Sequence, residues 1–275
     1  MQRYAFKVFY DGAKPFYGFQ RQPDIRTVEG ELIRALTKSR QVSSDPSVTD
    51  FASAGRTDRF VSALGNVFAV NAEGELRPAV INSRLSDDIR VWARAKVPVS
   101  FNPRREALRR HYKYFAYVAE QMDLDLMFEV SKQFVGVHDF RSFAHRPSKS
   151  SSIREIFDVS FGRLSDNFIC IGIVGDSFLQ RMVRKIVGSL IHVGSGLLEP
   201  DYIGRLFYPT YPLPKRGIPA APPEGLVLWD IDYSFPFEVD RYAVAKLQES
   251  LVKSLTALVA KKAMFHQLES PLEKQ

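Results

Sequence analysis

Bulky residues recur at every second position near the start of the chain: Tyr4, Phe6, Val8 and Tyr10 share one face of a strand predicted over Arg3 to Tyr10. The pair Asp11-Gly12 ends it. Behind Thr27, whose hydroxyl suits a helix N-cap, the period changes to the helical one, with Val28, Leu32, Ala35 and Leu36 on one stripe. Val48 to Ala54 and Asn66 to Asn71 read as two strands joined by a polar loop. Pro78 to Leu85 reads as a short helix, and the clean alternation of Ile89, Val91, Ala93, Ala95 and Val97 as a strand. The order is β-α-β-β-α-β.

After the joint VPVSFNPRRE the pattern begins again. A strand is expected at Tyr112 to Val118, a helix near Leu126 to Phe134, and strands at Ile153 to Leu164 and Phe168 to Val174. Phe178, Met182, Ile186, Leu190 and Val193 then mark a helix over Phe178 to Val193. Pro209 to Pro223 reads as a surface connection, Leu226 to Tyr233 as a closing strand, and Val239 to Phe265 as a C-terminal helix. Two such units predict an α+β chain of two ferredoxin-like halves, residues 1–103 and 104–275, with mainly antiparallel sheets and charged connections meeting in a cleft between them.

Composition narrows the partners. The 38 Lys and Arg outnumber the 31 Asp and Glu, for a formal charge of +7 and a pI near 9.4, which favours an anionic partner without choosing among RNA, DNA and a membrane surface. No apolar run approaches the length of a membrane span, and the alternating start lacks the basic patch and apolar run of a signal peptide. Cys170 is the one cysteine, which excludes an intrachain disulfide and points to a reducing compartment, the cytosol or a nucleus. The five histidines lack metal-ligand spacing, so no metal is expected.

The densest chemical signal is AGRTDRFVSALGNV, Ala54 to Val67, where Asp58 stands between Arg56 and Arg59 in a loop bounded by apolar strands. On composition alone this is a solvated hairpin turn. Other segments change that reading. Tyr10-Asp11-Gly12, then Tyr17-Gly18-Phe19-Gln20 with Gln22, Thr27-Val28, Asp87-Asp88-Ile89, RHYKY at Arg110 to Tyr114, Asp139-Phe140 with Ser142-Phe143, Gly175 to Gly196, and Gly225-Leu226 with Leu228 follow one another in family order. Together with GRTD the chain resembles, from Tyr10 to Tyr233, the TruA family of tRNA pseudouridine synthases. The resemblance implies that Asp58 is the catalytic aspartate, Arg56 the arginine associated with extruding the target nucleotide, Tyr112 the tyrosine stacked on the base, and Arg184 the cation paired with the carboxylate. It also implies action on the anticodon stem-loop of tRNA, a homodimer and no cofactor. Ser62, where bacterial members carry histidine, resembles the archaeal and eukaryotic members. Phe60 departs from the family, which usually has glycine there.

These residue types suit the reaction. Pseudouridine forms when the bond from ribose C1′ to uracil N1 breaks, the base turns, and C1′ joins C5. No electrons enter or leave, and no phosphate-binding glycine motif is present. A fixed carboxylate can act at an electron-poor sugar carbon by charge, by covalent attack or as a proton acceptor, and a neighbouring cation balances it. Attack at C1′, attack at C6 and a glycal route all remain open. Reaching the base requires pulling it from its helix, filling the gap and receiving it on a flat surface. Arg104, Arg105, Arg109, Arg110 and Lys113 form one basic cluster, Arg141, Arg146, Lys149 and Arg154 a second, and Arg181, Arg184 and Lys185 a third. With Arg59 they are expected to track phosphates. The glycine series Gly188, Gly194 and Gly196 reads as helix packing and a helix end.

Two rivals stand beside this reading. A non-catalytic RNA-binding protein on ferredoxin-like domains would expose stacking aromatics, but RHYKYFAYV does not fit the RNP1 pattern. A sugar hydrolase would need a second carboxylate beside Asp58.

Overall fold

The computed structural model describes residues 1–14, 16–119, 121–145, 151–208 and 217–272; Arg146, Lys149 and residues 209–216 of the Pro-rich connection lie outside them. The first half runs β1 (Gln2–Tyr10), α1 (Val28–Lys38), α2 (Pro46–Thr49), β2 (Ala52–Ser53), β3 (Ser62–Ala72), α3 (Pro78–Asn82) and β4 (Ile89–Val97). Thr27 caps α1 as expected, its hydroxyl accepting from the Gly30 amide at 3.2 Å. The strand expected over Val48 to Ala54 is a correction. Asp45 caps a one-turn helix with Pro46 at its first position, and Asp50, at φ 43°, turns the chain out of it, leaving two residues for β2.

The second half runs β5 (Arg109–Tyr117), α4 (Leu124–Ser131), β6 (Gly136–Asp139), β7 (Ile153–Ser165), β8 (Phe168–Gly175), α5 (Met182–Gly194), α6 (Pro200–Arg205) and β9 (Leu226–Asp232). Strand β6 and helix α6 add to the expected pattern. Helix α5 begins at Met182 rather than Phe178 because Arg181 takes a left-handed conformation, φ 63°, leaving Phe178 to Gln180 in the preceding loop. A two-residue strand, β10 (Glu238–Val239), and the helix α7 (Arg241–Leu272) follow.

Both halves have the same strand order and meet in one sheet, β10-β4-β1-β3-β9-β5-β8-β7-β6, with β2 also on β3. The joint is β3. One edge lies along β1; the other forks, with Ala69 and Phe68 paired to Ala52 and Ser53 of β2, and Ser62 and Ala63 paired in parallel to Val227 and Leu228 of β9. The shortness of β2 leaves that end of β3 open to receive β9. All the other strand pairs are antiparallel.

Two apolar cores follow from the alternation. In the first, Phe6, Phe68 and Phe51 stack in series at centroid distances of 5.2 and 5.5 Å, each fully buried ring contributing about 1.5–3 kcal/mol. The second gathers Phe134, Phe140 and Phe143 with the inner stripe of α5. Tyr112 packs against both. Helix α7 returns to the first half, burying Ala243 and Leu247, with Ser250 bonded to the Asp87 carbonyl. No helix among the described residues is long and apolar enough to cross a membrane.

Candidate active site

The loop 54–61 leaves the sheet at the fork of β3, so it emerges between the two halves. Its position is set by groups the two-residue period buries beneath it. Asn66, fully buried on β3, donates from Nδ2 to the Gly55 carbonyl (3.0 Å) and to the Tyr10 hydroxyl (3.2 Å). Its Oδ1 accepts from the Gly55 amide at 3.2 Å. The Tyr10 hydroxyl also meets Thr57 Oγ1 at 2.9 Å, and burial pushes its phenol far above the ordinary range. From the other side Phe19 donates its amide to the Thr57 carbonyl at 3.1 Å. Gly18, at φ 87°, sits so close that a Cβ there would lie 3.0 Å from that carbonyl.

Held in this way, Asp58 faces α5. Its Oδ2 accepts from Arg184 Nη1 at 3.2 Å and lies 4.0 Å from Arg181 Nε. Arg184 is fixed in turn: its Nε donates to the Ala221 carbonyl at 2.7 Å, while the Ala221 amide donates to the Arg184 carbonyl at 2.8 Å. Gly188, one turn along, lets that strap approach, since a Cβ there would meet the Pro219 carbonyl at 2.4 Å. The pair opens on a cavity of about 790 Å³ whose wall includes Tyr112 and Phe178, packed edge to face at 5.0 Å. Desolvation pushes the Tyr112 phenol up to about 12, with Asp58 reinforcing and Arg110 opposing, so the ring enters the pocket neutral. The other carboxylate on the wall, Glu29, accepts from the Arg21 amide at 2.8 Å.

The basic residues divide. Arg56, Arg59, Arg104, Arg110, Arg154, Arg181 and Arg184 line the cavity. Arg110 is buried and turns its guanidinium to the Arg104 and Asp176 carbonyls, so those donors are taken within the chain. Arg105, Arg109, Lys113, Arg141 and Lys185 lie off the cavity wall. Strand alternation puts Arg109 and Lys113 on the face opposite Tyr112, over the rings of Phe157 and Trp229. Lys185 donates to the Ser142 and Ala144 carbonyls, and burial lowers its pKa. Arg141 pairs with Asp139 at 3.4 Å, and Arg105 is exposed. Phe60 holds a left-handed backbone, φ 69°, where glycine is free and a β-carbon costs about 1–2 kcal/mol. The motif reading left Asn66, Phe178 and Ala221 without a role. Asn66 alone carries a signal, as an amide inside an apolar strand.

Residues 130–234 match the model of a family described as tRNA pseudouridine synthase. Relatives named tRNA pseudouridine synthase A are similar along nearly the whole chain. The protein of Thermococcus kodakarensis is 42% identical, covering 95% of this chain and 96% of its own. That of Thermococcus gammatolerans is 40% identical over the same shares, and that of Pyrococcus furiosus 39% identical over 97% of each. The chain belongs to the tRNA pseudouridine synthase family. Membership makes it an isomerase. The family-model segment contains α5 and Arg184, whereas the Asp58 loop precedes it, so the full-length relatives are what join the two walls of the pocket in one lineage.

Proposed function

We propose that this pseudouridine synthase isomerises uridine in the anticodon stem-loop of tRNA, with Asp58 as its catalytic carboxylate. The observation that carries the assignment of Asp58 is its pairing with Arg184 at 3.2 Å on the wall of a cavity large enough for a nucleotide. A uracil drawn from its helix would lie against the Tyr112 ring with its sugar toward Asp58, and each of the three routes uses the carboxylate at that contact. Arg184 balances the charge without giving up its own proton. Arg56, exposed beside the aspartate, has the length to fill the vacated stack. Arg59, Arg104 and Arg181 add positive charge at the mouth, where phosphates would pass.

The enzyme acts as a homodimer in the cytosol, with halves dividing near residue 103. The family resemblance supports the dimer, and the outer part of α7 exposes Leu251, Leu255, Leu258 and Phe265, apolar area that none of the described residues covers. The lone Cys170 suits a reducing compartment. Incubating unmodified tRNA with wild type and with Asp58→Asn, followed by site-resolved pseudouridine detection, tests the assignment. The Asn variant is expected to lose more than about 10³-fold in rate while still binding tRNA. Product at the wild-type rate from that variant would sink Asp58, and product only outside the anticodon stem-loop would sink the substrate site.

A further inference from the structure

Arg59, one residue beyond the catalytic aspartate, is held unlike the other cations of the pocket. Arg184 is bonded to a carboxylate and a carbonyl, and Arg110 to two carbonyls. The Arg59 guanidinium instead lies over two aromatic rings, 4.2 Å from the Tyr17 centroid and 4.4 Å from that of Phe60. Among the described residues no carboxylate stands within 4.0 Å of it. It is exposed at the rim, and both it and Tyr17 line the cavity. Ring faces attract and orient a cation but leave its N–H groups free to donate. The result is a guanidinium restricted in position and not neutralised.

Phe60 holds its side of this arrangement against its backbone preference. Its φ of 69° suits glycine, and the backbone of Gly12 closes on it so tightly that a Cβ on Gly12 would lie 2.5 Å from the Val61 carbonyl carbon and 2.6 Å from that of Phe60. The turn is therefore imposed by packing, and the residue occupying it is one whose ring reaches Arg59. Strain retained beside a reacting group is a sign of function when an observed contact uses it.

We propose that Tyr17 and Phe60 preorganise Arg59 as a clamp for a backbone phosphodiester of the RNA, the one next to the nucleotide that enters the cavity. This rests on the reading of the pocket as a tRNA site. Tyr17 and Phe60 are positioning residues, and Arg59 makes the contact. An arginine already immobilised loses less freedom on meeting a phosphate, and its planar fork matches two phosphate oxygens.

Equilibrium binding of unmodified tRNA across a salt series, with Tm measured on each variant, tests this without depending on turnover. Arg59→Gln is expected to weaken binding about tenfold and to lower the slope of log affinity against log salt by about 1. Phe60→Gly, which accepts the backbone but removes the ring, is expected to reproduce a large part of that loss at a Tm equal to or above wild type. Tyr17→Leu gives a second route to the same loss, and adding Phe60→Gly to Arg59→Gln is expected to cost nothing more. Phe60→Tyr, which keeps a ring, restores the wild-type slope. Wild-type affinity and slope in both Phe60→Gly and Tyr17→Leu overturn the clamp and leave the isomerase assignment standing. Wild-type protein that binds no tRNA overturns both.

Discussion

Arg184 serves two partners with one planar group. Its Nε holds the strap at Ala221 while Nη1 holds Asp58, and the rigid geometry of the guanidinium fixes the angle between them. A lysine carries the same charge but gathers its three donors at one atom and lacks the planar fork that sets the angle between the two oxygens. Arg184→Lys is therefore expected to lower kcat about 10²-fold with KM for tRNA within about threefold of wild type, measured by single-turnover and steady-state assays together. A kcat within twofold of wild type would show that charge alone suffices. Asp58, Arg184 and Tyr112 could be picked out as letters, because motif context is carried by side-chain type, and the structure brings all three to one cavity. The opposite holds for Arg110 and Lys185: both count as cations in the sequence, yet carbonyls left open by the tertiary fold capture their donors. No local pattern records which carbonyls those are. Phe60 could be seen to replace a glycine, but its positive φ and its contact with Arg59 depend on Gly12 and Tyr17, which arrive from far along the chain.

Elements with strong periodicity were legible within a few residues, and the one-turn helix α2, set by a cap and a left-handed turn, was not. Strand β4 and helix α1 match their expected spans because burial alternates or recurs along their whole length. The segment before the Asp58 loop misleads, since its apolar residues alternate like a strand while Asp45 and Pro46 start a helical turn. Strand β3 shows how an element positions a loop that it does not contain. Asn66 interrupts its apolar face and uses both ends of its amide beneath residues 55 and 57, directly and through Tyr10. Asn66→Ala leaves the Gly55 amide and carbonyl without those partners in a buried setting, at a cost of about 2–4 kcal/mol. The expected outcome is a lower denaturant midpoint together with reduced kcat, because the carboxylate loses its support. Asn66→Asp keeps the acceptor and replaces the donor, so it separates the two roles: stability recovering without kcat would assign the loop's geometry to the Nδ2 bonds. Wild-type kcat in Asn66→Ala would show that the loop is held by Phe19 and Gly18 alone.

At the scale of the molecule, the pocket exists because two similar halves share one sheet. Their repetition was legible from the recurrence of element types, whereas the β3–β9 joint was not, since parallel pairing between residues 62–63 and 227–228 has no local signature. Asp58 precedes that joint by four residues on one side. On the other, the strap that holds Arg184 runs from Ala221 into β9. A displacement at the joint therefore separates the carboxylate from its cation directly. Gly65 sits where the strands press closest: a Cβ there would lie 2.6 Å from an Asp230 carboxylate oxygen and 2.9 Å from the Trp229 carbonyl. The carboxylate can swing away only by giving up its bonds to Lys7 and the Ile231 amide, and the carbonyl belongs to β9 itself and cannot yield without moving the strand. Gly65→Ala is expected to lower kcat about 10²-fold, the scale of an ångström of misplacement between reacting groups, and to lower stability by about 1–3 kcal/mol. Binding of tRNA should change less than kcat, because phosphate contacts by the rim cations Arg56, Arg59 and Arg104 tolerate a displacement that misaligns reacting groups. Gly162→Ala on β7 supplies the control, since its Cβ would find the Cys170 carbonyl at 4.0 Å and have room. If both alanine variants turn over at the wild-type rate with unmoved unfolding midpoints, the halves are held in register by something other than this joint, and the cores that Tyr112 bridges would be the next place to cut.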